Sequence, residues 1–198
     1  MDAITPTSTK PVTLIAMRHG GTHLIQPLIR ELTGKSVYVP KGNNALDCRP
    51  GRKLVIFLRD PRNRVVSQLR YKNPRIQPGE KADEQLASLM GREKMGSTTL
   101  DYMLAWASKW GCAYRGGCLQ MRFEDLVADP LYAAECVALY LDVPGGQNAA
   151  KAVEYTIGKS GTFTGRHSRW REWFGPKSTQ AWRKGDGPQI LRLMGYEE

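Results

Sequence analysis

The sequence predicts an α/β protein with a parallel sheet of about four to five strands flanked by helices. Three observations carry this prediction. Short runs that are apolar at nearly every position, "VTLIAM" (12–17) and "KLVIFL" (53–58), read as strands buried on both faces. Segments with apolar residues at helical spacing follow each of them. Arginine, glycine and capping residues cluster where those strands would end, and parallel sheets bind ligands at the carboxyl ends of their strands.

Residues 1–11 read as a loose N-terminal tail and residues 12–198 as a single domain. After the first strand, Leu24, Ile25, Leu28, Ile29 and Leu32 recur at helical spacing from Thr22 onward. Gly34 is placed to end that helix in the left-handed region. "SVYVP" (36–40) reads as a short second strand stopped by Pro40, with a loop up to the third strand at 53–58. "RDPRNRVVSQLRY" then opens a helix by the usual rules: Asp60 caps it, Pro61 takes the first helical position, and Val65, Val66 and Leu69 face inward. Residues 73–97 are polar and rich in Gly, Lys and Glu, and read as a mobile lid or acceptor loop with one helix near 81–91. "TTLDYMLAWASKWGCAYR" is an amphipathic helix with its aromatic residues at core spacing. "CLQMRF" (118–123) is a fourth strand, and "DPLYAAECVALYLDV", "NAAKAVEYTIG" and "PQILRLMGY" are further helices.

A chain of 198 residues can bury a core without metals or disulfides. No apolar run approaches the length needed to cross a bilayer, and "MDAITPTSTK" lacks the basic and apolar regions of a signal peptide. The expectation is a cytoplasmic protein without a membrane partner. Cys48, Cys112, Cys118 and Cys136 form no C-x-x-C pair and no histidine follows at zinc spacing, so reduced thiols and no metal are expected. The net charge of +10 favours a polyanionic partner. The cations are spread among glycines and helix starts, which suits a small anionic ligand better than a duplex. Five tryptophans and eight tyrosines would serve a nucleic-acid surface by stacking, but most sit at core spacing, so nucleic acid is the lesser expectation.

"TLIAMRHGGTHL" (13–24) joins the first strand to the first helix and admits two chemistries. "RHG" after an apolar strand is the mark of histidine phosphatases, with His19 as a nucleophile that takes a phosphoryl group. That chemistry needs a second histidine after a late strand, and His167 lies in the polar stretch "TFTGRHSRW". The alternative is an anion cradle: Gly20 and Gly21 let the backbone approach closely, the helix starting at Thr22 points N–H groups at the anion, and Arg18 adds a full charge. No GxxxxGK[ST] loop is present, which argues against ATP or GTP hydrolysis. After the third strand, Arg59 and Ser67 offer a guanidinium and a hydroxyl to a second anionic group.

Three separated motifs, in order, resemble those of the sulfotransferases that use 3′-phosphoadenosine 5′-phosphosulfate (PAPS). "MRHGGTHL" looks like that family's 5′-phosphosulfate loop, "LRDPRNRVVSQLRY" its 3′-phosphate motif, and "RFEDLVADP" (122–130) its Y-E-D-L-x-x-x-P segment. "GTFTGRHSRWREWFG" (161–175) is similar to a late family stretch if a gap is allowed. The resemblance implies a P-loop-like nucleotide-binding architecture with PAPS as co-substrate and no metal. It implies transfer of a sulfuryl group to a hydroxyl or amine of a small-molecule or glycan acceptor. By position, Arg18 or His19 matches the catalytic cation; Gly20, Gly21 and Thr22 match the 5′-phosphate cradle. Arg59 and Ser67 match the 3′-phosphate pair, and Gly165 and Arg166 belong to the late stretch, with Arg166 a candidate third contact. Phe123 and His23 stand where family members place rings against adenine. The family's usual base has no histidine counterpart between residues 25 and 58; Asp47 is the candidate there and His23 the alternative.

Overall fold

The computed structural model describes residues 10–39, 51–91, 99–110, 117–156 and 170–197. Along the chain the elements are β1 (Val12–Ala16), α1 (Thr22–Thr33), β2 (Lys53–Leu58), α2 (Pro61–Lys72), α3 (Glu80–Gly91), α4 (Thr99–Trp110), β3 (Cys118–Arg122), α5 (Phe123–Ala128), α6 (Pro130–Leu141), α7 (Gln147–Thr156), α8 (Trp170–Trp173), α9 (Pro176–Lys184) and α10 (Gly187–Met194). The described residues fall into two compact units. One lies within Met1–Leu58 and Tyr114–Ser160, the other within Arg59–Ala113 and Gly161–Glu198.

The first unit is built on three parallel strands in the order β1-β2-β3. Ala16 pairs with Phe57 and Leu58 with Arg122, so the carboxyl ends of all three strands finish side by side. Leu14, Val55, Ile56 and Phe57 are wholly buried, as the apolar runs require. Among the described residues the sheet has three strands, where four to five were expected. The segment 36–40 contributes one isolated bridge, in which Leu14 N–H donates to Tyr38 O at 2.9 Å and Tyr38 N–H to Val12 O at 3.2 Å. Residues 34–39 are exposed or half-buried, so lengthening that pairing would bury little apolar surface. β3 also stops at Arg122, one residue short of the expected end, because Phe123 opens α5. Glu124 and Asp125 in its first turn favour a helix start there.

Helix α1 buries Leu24, Ile25, Leu28, Ile29 and Leu32 as its spacing predicts, and ends at Gly34, whose left-handed N–H donates to Arg30 O at 2.8 Å. It packs on α7, and α7 on α6. Asp129 caps α6 by accepting from Tyr132 N–H at 2.9 Å. At the amino ends of the strands, the Tyr140 hydroxyl accepts from Leu54 N–H at 3.0 Å and donates to Gly117 O at 2.7 Å, tying β2 to the entry of β3. Cys118 and Cys136 are both half-buried.

In the second unit α2 starts as expected: Asp60 accepts from Arg62 N–H at 2.8 Å, Pro61 follows, and Val65, Val66 and Leu69 are buried. In α4, Met103, Trp106 and Trp110 are core residues, which is the use their spacing predicts. Helices α8 and α9 are too short or too polar to leave a periodic signal and have no counterpart in the sequence reading. Helix α9 packs on α3, and α10 on α4.

Candidate functional site

Between β1 and α1 the chain makes a turn closed by Gly20 N–H donating to Met17 O at 2.8 Å. His19 holds φ 64° and Gly21 φ 92°, so the backbone enters the left-handed region twice within three residues. For His19 this costs on the order of 1 kcal/mol, and such strain collects at ligand sites. Neither glycine accepts a side chain: a Cβ at Gly20 would stand 2.6 Å from Met17 O, and one at Gly21 would stand 2.6 Å from the Phe123 ring. Phe123 is 2% exposed and meets Phe57 edge-on at 6.3 Å. It forms the wall behind Gly21, with no open ring face for an adenine.

Gly21 is also the N-cap of α1 and makes no side-chain capping bond. The helix therefore begins with a partial positive charge at first-turn amides that Gly21, lacking a side chain, does not cap. Gly20 spends its own N–H on the turn and Leu24 spends its N–H on Gly21 O at 2.9 Å, which leaves neither for an anion. Arg18 and His23 are exposed, and His19 and Thr22 half-buried. This stretch is suited to an anion. Gly21→Ala is expected to cost at least about 1–2 kcal/mol in denaturant unfolding through its forced left-handed backbone, plus displacement of the Phe123 ring. Gly51→Ala is the control, since Gly51 has φ 85° but open space around its Cβ position. Equal losses in the two variants would mean the ring yields freely.

Arg59, half-buried, is the first residue after β2, and Ser67, 9% exposed, lies on α2. The buried residues between them include three that the sequence reading did not single out. Arg62 forms a two-pronged ion pair with the capping carboxylate of Asp60, Nε to Oδ1 at 3.0 Å and Nη2 to Oδ2 at 2.8 Å. Asn63 Oδ1 accepts from Trp170 N–H at 3.0 Å. Arg64 is 3% exposed, with its guanidinium 5.4 Å from the centre of the Tyr102 ring. A cation two residues after an aspartate cap was the one available sequence signal for the first of these. The burial of Asn63 and Arg64 comes from long-range packing and leaves no periodic trace.

Asp83 on α3 supplies a tertiary cap. Its carboxylate accepts from Gly175 N–H at 2.9 Å, Lys177 N–H at 2.9 Å and Ser178 N–H at 2.8 Å, and from the Ser178 hydroxyl. Burial pushes its carboxyl up, but these hydrogen bonds outweigh burial and hold it below the ordinary value of 3.8. Above it lies a cleft of about 450 Å³ between Gly79, Glu80, Glu172, Trp173 and Lys177.

The structure thus gathers Arg18, His19, Gly20, Gly21, Thr22 and His23 at one strand-to-helix turn, with Phe123 packed behind Gly21. Arg59 and Ser67 lie in the second unit, on either side of the Asp60–Asn63 cluster. Asp47, Gly165, Arg166 and the late His167 lie outside the described residues. No helix among the described residues is long and apolar enough to cross a membrane.

No protein-family model matches the chain, and no curated protein matches it. Among solved structures it is similar to the mouse sulfotransferase SULT7A1 complexed with PAP, with a TM-score of 0.65 and 14% sequence identity. The match covers 95% of this chain and 89% of that one. The fold is therefore a sulfotransferase-like α/β fold, a three-stranded parallel sheet flanked by helices.

Proposed function

We propose that the protein is a PAPS-dependent sulfotransferase that moves a sulfuryl group to a hydroxyl or amine of an acceptor. The observation that carries this reading is the turn at residues 17–22. It is closed to side chains at both glycines and opens a helix whose cap is a bare glycine, on a fold similar to that of a PAP-bound enzyme. A donor set of amides, a guanidinium and hydroxyls fits a phosphosulfate anion.

PAPS, when bound, supplies an activated sulfuryl group. The amides of Gly21 and Thr22 and the Thr22 hydroxyl hold the 5′-phosphosulfate. Arg18, with His19 the alternative, places positive charge where the departing phosphate oxygen gains negative charge. Arg59 and Ser67 hold the 3′-phosphate, a guanidinium and a hydroxyl being a standard pair for that group. His23, next to the cradle, or Asp47 takes the acceptor proton. A cytoplasmic setting, in which Cys118 and Cys136 remain thiols, is part of this reading.

Calorimetry with 3′-phosphoadenosine 5′-phosphate (PAP) against AMP tests it, because a 3′-phosphate site distinguishes the two and Arg59→Ala removes that distinction. The wild-type chain is expected to prefer PAP. Arg59→Ala is expected to weaken PAP binding by about 10–100-fold, the loss of one charge-assisted contact, and to leave AMP affinity nearly unchanged. A wild-type chain that binds both nucleotides equally, or neither, refutes the reading.

A further inference from the structure

Arg62 is among the most heavily tethered side chains described in the second unit. Three different chemistries hold its guanidinium. The Asp60 carboxylate takes Nε and Nη2, the backbone carbonyl of Glu197 accepts from Nη2 at 2.9 Å, and the Trp170 ring lies 4.1 Å from the guanidinium carbon. Arg62 is 7% exposed and Asp60 6%. The backbone of Trp170 is pinned in turn, since its N–H donates to Oδ1 of Asn63, the next residue of the same helix. One buried cation therefore joins the start of α2, the start of α8 and the C-terminal segment.

Raw stability is a poor account of this cluster. Two charges removed from water regain their desolvation cost only in good geometry, and an apolar pair of the same size would often do as well. What the cluster does provide is orientation. Asp60 immediately follows Arg59, and its carboxylate is bound both to the Arg62 amide at 2.8 Å and to the Arg62 guanidinium. The peptide from which the Arg59 side chain springs is locked on its C-terminal side. A long flexible cation binds an anion better when its root is fixed, because less freedom remains to be lost on binding.

We infer that Arg62 is a positioning residue for Arg59, and that the ion pair with Asp60, backed by Trp170 and the Glu197 carbonyl, sets the preference for a 3′-phosphorylated nucleotide. This rests on the function proposed above. Lysine at position 62 would keep the charge opposite Asp60 but lacks the planar fork that reaches a carboxylate and a carbonyl together.

The test is calorimetry of PAP and AMP with the full chain, with thermal unfolding of each variant recorded alongside. Arg62→Lys is expected to lower PAP affinity about tenfold and leave AMP affinity within about twofold, so the ratio falls. Trp170→Leu, which removes the ring beneath the guanidinium and spares the ion pair, is the second variant and should lower the ratio by a smaller factor. A merely structural role would weaken both nucleotides together. An unchanged ratio, or an equal loss of both affinities, in whichever variant folds overturns the positioning role while leaving the sulfotransferase reading intact. A wild-type chain with no preference for PAP overturns both.

Discussion

Arg18→Ala is expected to lower turnover about 10²–10³-fold, the usual loss when one donor to the transition-state charge is removed, while PAP binding survives in part. The expectation follows from where Arg18 stands. It is exposed, one residue past the buried Met17 and one before the left-handed His19, at the strand-to-helix turn. An exposed guanidinium adds little to folding, so the variant should unfold at nearly the wild-type temperature. The amides of Gly21 and Thr22 remain, and with them a share of the ground-state affinity. The assay is release of PAP from PAPS in the presence of an acceptor, measured beside PAP calorimetry. Turnover that falls with affinity unchanged marks a contact made chiefly in the transition state. A parallel fall in both assigns Arg18 to nucleotide binding alone, and unchanged turnover passes the catalytic charge to His19.

The largest effect on stability is expected at Asp83. Asp83→Ala should cost about 3 kcal/mol, since it strands several buried donors at the start of α9 and removes an anion from a helix N-terminus. In a chain of this size that is a fall of roughly 6–12 °C in midpoint temperature. The pH dependence has a definite sign. The Asp83 carboxyl is held below its ordinary value of 3.8 in the folded chain. Its contribution is therefore complete above about pH 4 and disappears as pH falls through the lower folded value. Urea unfolding of wild type and variant should differ fully at neutral pH and converge in strong acid. A gap that stays constant down to pH 2 would show that the carboxylate charge is not what holds α9. Gly175 belongs to the same contact, because a Cβ there would stand 2.6 Å from the Asp83 carboxylate.

Much of the frame was legible along the chain. The inner face of α1, the Asp60–Pro61 start of α2, the core aromatics of α4 and the glycine end of α1 all follow from spacing and capping chemistry, which act over a few residues. The tight turn at Gly20 and Gly21 was legible for the same reason, since two adjacent glycines between an apolar strand and a helix announce a close backbone approach. The short strand at 36–40 was over-read: a short apolar run signals β structure, but a ladder needs a buried partner surface, and residues 36–39 stay near the surface. Phe123 was read as a ring for a ligand, whereas burial turns it into the support behind Gly21.

Local sequence by itself determined β1, β2 and the helices α1, α2 and α4, where the two arginine-bearing junctions fall, and that a bare-glycine turn precedes α1, because periodicity, caps and backbone sterics are short-range. Tertiary structure alone decided that α9 is capped from α3, about ninety residues away, and that Arg62 is locked between Asp60, Trp170 and the Glu197 carbonyl. Those contacts join groups distant in the chain, and a buried polar side chain takes whatever partner the completed packing brings within hydrogen-bond reach.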